Sequence, residues 1–201
     1  MFRQSSLSTR LFEQISALNQ SFIDVMDVAA RSGAVDVSHD ILHGLTHAHA
    51  DQQSHFDRLP FLLYRLYDAA STHPGPSGIP DDIAGASDLV TLTASFIWQL
   101  AQEDVALATL VTGFDQVWCQ NFGQNSIADL AGFATRARLR IRLVDAPGYW
   151  QDLVRQRGIS SLQRASLGAT GLQLILSRAR RHRARRSLPK ITTSEPGIRQ
   201  R

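Results

Sequence analysis

The basic residues of this chain are concentrated at its C-terminal end. Residues 178–201 contain nine basic residues and one acid, a net charge of +8, whereas residues 1–177 carry −5. An acidic body with a basic end is typical of a protein that contacts a polyanion through that end. Six arginines form the densest part of the segment, and we call them the arginine cluster: Arg178, Arg180, Arg181, Arg183, Arg185 and Arg186.

On a helix, the arginine cluster would cover nearly all faces, a distribution that suits phosphate contacts without selectivity for bases. The segment has little aromatic interleaving, which argues against stacking on single strands. We therefore expect double-stranded DNA as its partner. The alternatives are a solvated terminus without a ligand, or contact with acidic protein or membrane surfaces.

A second group of arginines alternates with apolar residues between positions 136 and 144. The alternation predicts a short strand with its arginines on one face and its apolar side chains toward the core. Such charge protects an edge strand from aggregation, and it could equally form a second stripe of phosphate contacts. The four arginines of this stripe are Arg136, Arg138, Arg140 and Arg142.

Histidines cluster in the first half of the chain. His39, His43 and His47 are spaced by four, so one helical face could present three imidazoles to zinc or nickel. Gly44 weakens that helix, and a surface or pH-sensitive histidine face is the competing interpretation. We predict no bound metal and no other cofactor.

No pattern in the sequence supports catalysis. The single cysteine, Cys119, lies beside Trp118 in a mostly apolar stretch, which is typical of a small core residue rather than a nucleophile. The sequence contains no Gly-x-Ser-x-Gly, no phosphate-binding glycine loop and no dinucleotide fingerprint. We predict that the protein is not an enzyme.

The overall composition is that of a globular protein. The chain has 201 residues, of which 43% are hydrophobic and 7% aromatic. It contains no apolar run long enough for a membrane span, and its N-terminus lacks the apolar region of a secretory signal. We expect a cytoplasmic protein with no membrane contact.

Hydrophobic periodicity predicts mainly helical structure. A helix is expected over residues 10–30, a second from Asp36 or Ser38 toward His49, and an apolar stretch over residues 56–67. Three prolines and two glycines then interrupt residues 71–82, which predicts a linker over residues 71–87.

The second half repeats this order of elements. We expect a helix from Asp88 to Thr112 that stops at Gly113, and a helix over residues 126–135 capped by Asn125 or Ser126. The strand at 136–144 follows. A last helix is expected over residues 160–176, and the basic tail of residues 178–201 is expected to be disordered.

Two short internal matches indicate a duplication. Ser21-Phe22-Ile23 recurs as Ser95-Phe96-Ile97 at an offset of 74, and Arg65-Leu66-Tyr67-Asp68-Ala69 recurs as Arg142-Leu143-Val144-Asp145-Ala146 at an offset of 77. We therefore predict two similar helical halves, 1–70 and 88–177, each closing with a short strand.

The second half resembles a known family. The helix that contains Leu100-Ala101-Gln102-Glu103-Asp104-Val105-Ala106 resembles the first helix of the flagellar transcriptional activator FlhD family. The segment over residues 129–134 resembles the next helix of that family, residues 139–145 its closing strand, and residues 162–178 its C-terminal helix. This chain differs in carrying a fainter second copy and a longer arginine-rich extension.

The resemblance implies a bacterial transcriptional regulator, in the family's case an activator, that binds DNA with or through a partner subunit similar to FlhC. It also implies an oligomer, or a pseudo-dimer formed by the two halves. The alternative function is a non-catalytic protein-interaction adaptor whose basic tail is solvated.

Overall fold

A computed structural model describes residues 4–35, 59–68 and 79–141, together with residues 170, 171 and 173. The protein is mainly helical, as predicted. The elements in chain order are α1 Gln4–Arg31, β1 Tyr64–Asp68, α2 Ala86–Glu103, α3 Val105–Thr112, α4 Gln116–Gly123, α5 Ile127–Arg136 and β2 Ala137–Ile141. The predicted helix toward His49, most of the predicted helix over residues 160–176 and the basic tail lie outside the described residues.

Helix α1 confirms the predicted apolar face. Six apolar residues at spacings of three and four predict this helix. Leu11 is half-buried, and the other five are buried: Ile15, Leu18, Phe22, Met26 and Ala29. The chain leaves the helix through Gly33, whose left-handed backbone (φ 71°) favours glycine. This turn lets the Ala34 N–H donate to the Ala29 carbonyl at 2.9 Å, and that bond closes the helix end.

The predicted helix over residues 88–112 is in fact two helices separated at Asp104. The Asp104 backbone is extended, and its N–H donates to the Leu100 carbonyl to close α2. Its carboxylate accepts from the Leu107 N–H at 2.9 Å and thereby caps α3. Aspartate is a favoured N-cap because its oxygen satisfies an otherwise unpaired helical N–H. The predicted stop at Gly113 is confirmed, since that glycine is left-handed (φ 67°).

Helix α4 was not predicted from the sequence. It begins after Asp115, whose carboxylate accepts from the Trp118 N–H at 2.8 Å. The next helix, α5, starts at the predicted cap Ser126 rather than at Asn125. Ser126 and Asp129 form a reciprocal capping box, which satisfies two helix-terminal donors.

Strands β1 and β2 pair antiparallel, so each predicted half supplies one strand. The register places Tyr64 opposite Ile141, Arg65 opposite Arg140 and Tyr67 opposite Arg138. Tyr64 and Leu66 are buried, whereas Arg65 and Tyr67 are half-buried on the other face of the strand. This alternation is the period-two pattern of a strand with one face against a core.

A single hydrophobic core joins the two predicted halves in the described residues. Phe22 of α1 stacks on Tyr64 of β1, with ring centroids 4.5 Å apart, and Phe96 of α2 is buried in the same core. Ile79 and Ile83, which fall within the predicted linker, are also buried there. Superposition of the halves stays a prediction, because parts of both copies lie outside the described residues.

Candidate functional site

Arg136 does not lie on the predicted strand. It is the last residue of α5, and the strand begins at Ala137, so the prediction of one strand face carrying all four arginines is wrong at this position. Arginine is favourable at a helix C-terminus, where its charge offsets the negative end of the helix dipole. The Arg136 side chain is exposed, and its guanidinium lies over Gly132 one turn earlier.

Arg138 lies on β2 and forms an ion pair inside the fold. Its guanidinium contacts the carboxylate of Asp81, in the turn before α2, and both side chains are partly exposed. An exposed pair of this kind contributes little to stability, about 0–1 kcal/mol. It does partly neutralise Arg138, so a phosphate contact by this residue would compete with Asp81.

Arg140 lies opposite Arg65, an arginine that was not predicted from the sequence to be a site residue. The Arg65 guanidinium donates to the Gly113 carbonyl at the end of α3, and its central carbon lies 5.4 Å from the Phe114 ring centroid. A cation over an aromatic face is attracted by the ring electrons. These contacts hold the Arg65 side chain at the end of α3. The signal in the sequence that could have indicated its exposure is the alternation of apolar and polar residues along β1.

The remaining predicted site residues lie outside the described residues. They are Arg142, the six residues of the arginine cluster, and His39, His43 and His47. In the part of the chain that is described, no group of three or more His, Cys, Asp or Glu side chains is placed to hold a metal ion. The helices described there include none with the length and apolar character needed to cross a bilayer.

Cys119 is a core residue, as its sequence context predicted. The residue is fully buried on α4, and burial raises the pKa of its thiol. The thiol therefore stays protonated near neutral pH, the less nucleophilic form. The neighbouring Trp118 belongs to an aromatic cluster, in which it stacks on Phe114 and Phe122 at centroid distances of 4.1 and 4.6 Å.

An apolar groove that the sequence did not predict lies between α1, α2 and α3. It encloses about 920 Å³ and is partly open to solvent. Phe96 and Leu100 of α2 are buried at its floor, whereas Phe12 at its edge is 43% exposed. Three helices must come together to form this surface, so no local pattern in the sequence encodes it.

The groove is acidic at one end. Glu103 and Asp104 lie there, where α2 ends and α3 begins, so the opposite partial charges of the two helix ends offset each other and the two carboxylates remain. Arg10, exposed on α1, is the basic residue among the described groove residues. The described part of the chain also has a net negative charge, because residues 4–35, 59–68 and 79–141 contain eleven acidic residues and six arginines.

No protein-family model, curated protein or solved structure matches this chain. The resemblance of residues 97–178 to the FlhD family therefore stays a prediction from the sequence.

Proposed function

We propose that this protein is a non-enzymatic, DNA-binding regulator that contacts phosphates through its basic C-terminal segment. The observation that carries the proposal is the separation of charge along the chain. The described part of the protein has five net negative charges, whereas residues 178–201 carry +8. DNA repels the acidic described part and attracts residues 178–201, so the chain would approach a duplex by its C-terminal segment.

The contacts of the described arginines support a division of roles. Arg65 and Arg138 are held by Gly113 and Asp81, whereas Arg136 is exposed at the end of α5. We therefore assign most phosphate contacts to the arginine cluster and a supplementary one to Arg136. The other arginines of the stripe stay candidates for further contacts: Arg138, Arg140 and Arg142.

The likeness of the second half to the FlhD family adds the regulatory part of the proposal. It suggests a cytoplasmic transcription regulator that acts as an oligomer or pseudo-dimer and that shares DNA recognition with a partner subunit. The fold would then be the platform for that partner, while the basic segment brings the assembly to the duplex.

Binding of a DNA duplex by the full-length protein at several salt concentrations tests this function. The comparison variant replaces all six arginines of the cluster by glutamine, which removes charge without changing length. We expect salt-dependent binding by the natural chain and a much flatter salt dependence for the variant. Salt-independent or absent binding, alone and with a copurifying partner, would exclude the proposal.

A second candidate function is a protein-interaction adaptor with a solvated basic tail. Two observations favour it: the apolar groove between α1, α2 and α3, and the engagement of Arg65 and Arg138 within the fold. An adaptor would copurify with a protein partner from its host and would show no affinity for DNA.

A further inference from the structure

The groove between α1, α2 and α3 has the form of a site for another helix. Leu107, Leu110 and Val111 of α3 recur at helical spacing along one wall. Leu11 and Ile15 of α1 have the same spacing on the wall opposite. Two apolar helix walls over an apolar floor form the surface into which an amphipathic helix inserts its own apolar face.

The edges of the groove leave apolar surface exposed to solvent. Phe12 is 43% exposed, and Leu107 and Leu110 are only partly buried. Phe96 and Leu100 of α2, which form the floor, are by contrast buried in the core. An occupant would therefore gain its contacts chiefly from the edge residues, and it would not need to open the core.

The acidic end of the groove favours an occupant with positive charge at that end. Glu103 and Asp104 are exposed there, Asp104 while capping α3, and their two carboxylates outnumber Arg10, the basic residue among the described groove residues. A cationic side chain would be attracted there, and an anionic one repelled. The same charges disfavour the anionic head groups of a membrane surface.

We propose that the groove binds an amphipathic helix of a partner protein, one with an apolar stripe and lysines or arginines in its last turn. The apolar stripe lies between Phe12 and Leu107, and the basic turn lies over Glu103 and Asp104. The groove residues are not the arginines to which phosphate contacts are assigned, so the proposal does not depend on whether the protein binds DNA.

The test uses the full-length protein and a fluorescein-labelled synthetic helix of about 18 residues, long enough to present five helical turns. Its leucines follow a three-four spacing, and its last turn carries lysines and arginines. A second peptide is identical except for glutamates in that turn. Fluorescence anisotropy should show saturable binding of the basic peptide and at least tenfold weaker binding of the acidic one.

Matched variants locate the binding to the groove. Phe12→Ser should weaken binding of the basic peptide about tenfold, because buried aromatic contacts dominate such interfaces. Val28→Ser is the control, since Val28 lies on the same helix away from the groove and is 41% exposed. The affinity of the Val28→Ser variant for the basic peptide should equal that of the natural chain.

A second pair of variants tests the acidic end. Glu103→Gln should weaken binding of the basic peptide about two- to fivefold, in keeping with a partly exposed charge pair. Asp82→Asn removes an exposed carboxylate outside the groove and should leave affinity unchanged. Thermal unfolding of each variant checks that the fold is retained.

Four results would overturn the proposal. They are absence of binding by the full-length chain, equal loss with Phe12→Ser and Val28→Ser, equal affinity for the basic and acidic peptides, and binding only after deletion of residues 178–201. The last result would assign the groove to the chain's own basic segment.

Discussion

The hydroxyl oxygens of Tyr64 and Thr93 lie 2.5 Å apart in the core and join β1 to α2. The Thr93 hydroxyl donates to the Leu89 carbonyl at 2.6 Å, so Tyr64 must be the donor to Thr93. Both residues are fully buried. A buried donor on the first predicted half is thus satisfied by an acceptor on the second.

Stability should fall in alkaline solution because of Tyr64. Burial raises the pKa of this hydroxyl well above its ordinary value of 10.0, which outweighs the lowering by the Thr93 hydrogen bond. The stabilising effect of neutral Tyr64 is present below about pH 10 and is lost as the pH rises from there toward the folded pKa. Urea unfolding from mildly alkaline to strongly alkaline pH should show this decline.

Tyr64→Phe is the matched variant for that measurement. At mildly alkaline pH, loss of the hydrogen bond should lower the free energy of unfolding of this variant by about 1 kcal/mol. Its free energy of unfolding should then decline less steeply than that of the natural chain once the pH exceeds about 10. An unchanged alkaline decline in this variant would show that other groups cause it.

Asn19 should be more sensitive to substitution than an ordinary polar residue. It is buried on α1, where its amide nitrogen donates to the Phe61 carbonyl at 3.0 Å and its oxygen accepts from the Leu63 N–H at 2.9 Å. Asn19→Leu leaves both backbone groups buried without these bonds. We expect the free energy of unfolding, measured in urea, to fall by about 2–4 kcal/mol.

Ser21→Ala on the same helix is the control for Asn19→Leu. Ser21 is partly buried, and its hydroxyl donates to the Ala17 carbonyl one turn earlier, a carbonyl already within the helix. Its replacement should change the free energy of unfolding by less than about 0.5 kcal/mol. Equal losses for the two variants would contradict the role given to Asn19.

Two glycines should respond to alanine in opposite directions. A Cβ at Gly123 would lie 3.0 Å from the backbone carbonyl carbon of Ala101, so α4 and α2 would have to separate. We expect Gly123→Ala to lower the free energy of unfolding by about 1–3 kcal/mol. A Cβ at Gly132 would meet only the flexible end of Arg136 at 3.4 Å. Gly132→Ala should therefore raise helix stability by about 0.5–1 kcal/mol.

Thermal unfolding of the two variants checks this contrast in one experiment. A stable Gly123→Ala protein with an unchanged midpoint would show that α2 and α4 do not approach as closely as described.

The parts of the fold that could be predicted from sequence depend on local signals. The apolar face of α1, the stop at Gly113 and the cap at Ser126 each follow from residues within one or two turns. Helix α4 has only eight residues, and so short a helix is stabilised by packing rather than by its own sequence pattern.

Other features depend on contacts between distant residues. Asp104 fits either a helix interior or a cap by sequence, and its bond to the Leu107 N–H decides between them. The pairing of Arg138 with Asp81 joins residues that are far apart in the chain. The groove likewise needs three packed helices, so periodicity located the helices but not the surface that they form.

The salt dependence of DNA affinity tests the proposed function most directly. Each phosphate contact releases condensed counterions, so the slope of log affinity against log salt is about −0.9 per contact. If four to six arginines of the cluster engage a duplex, replacing all six by glutamine should flatten the slope by roughly four to five units. An identical slope for the natural chain and the variant, or no DNA affinity in either, would contradict the account.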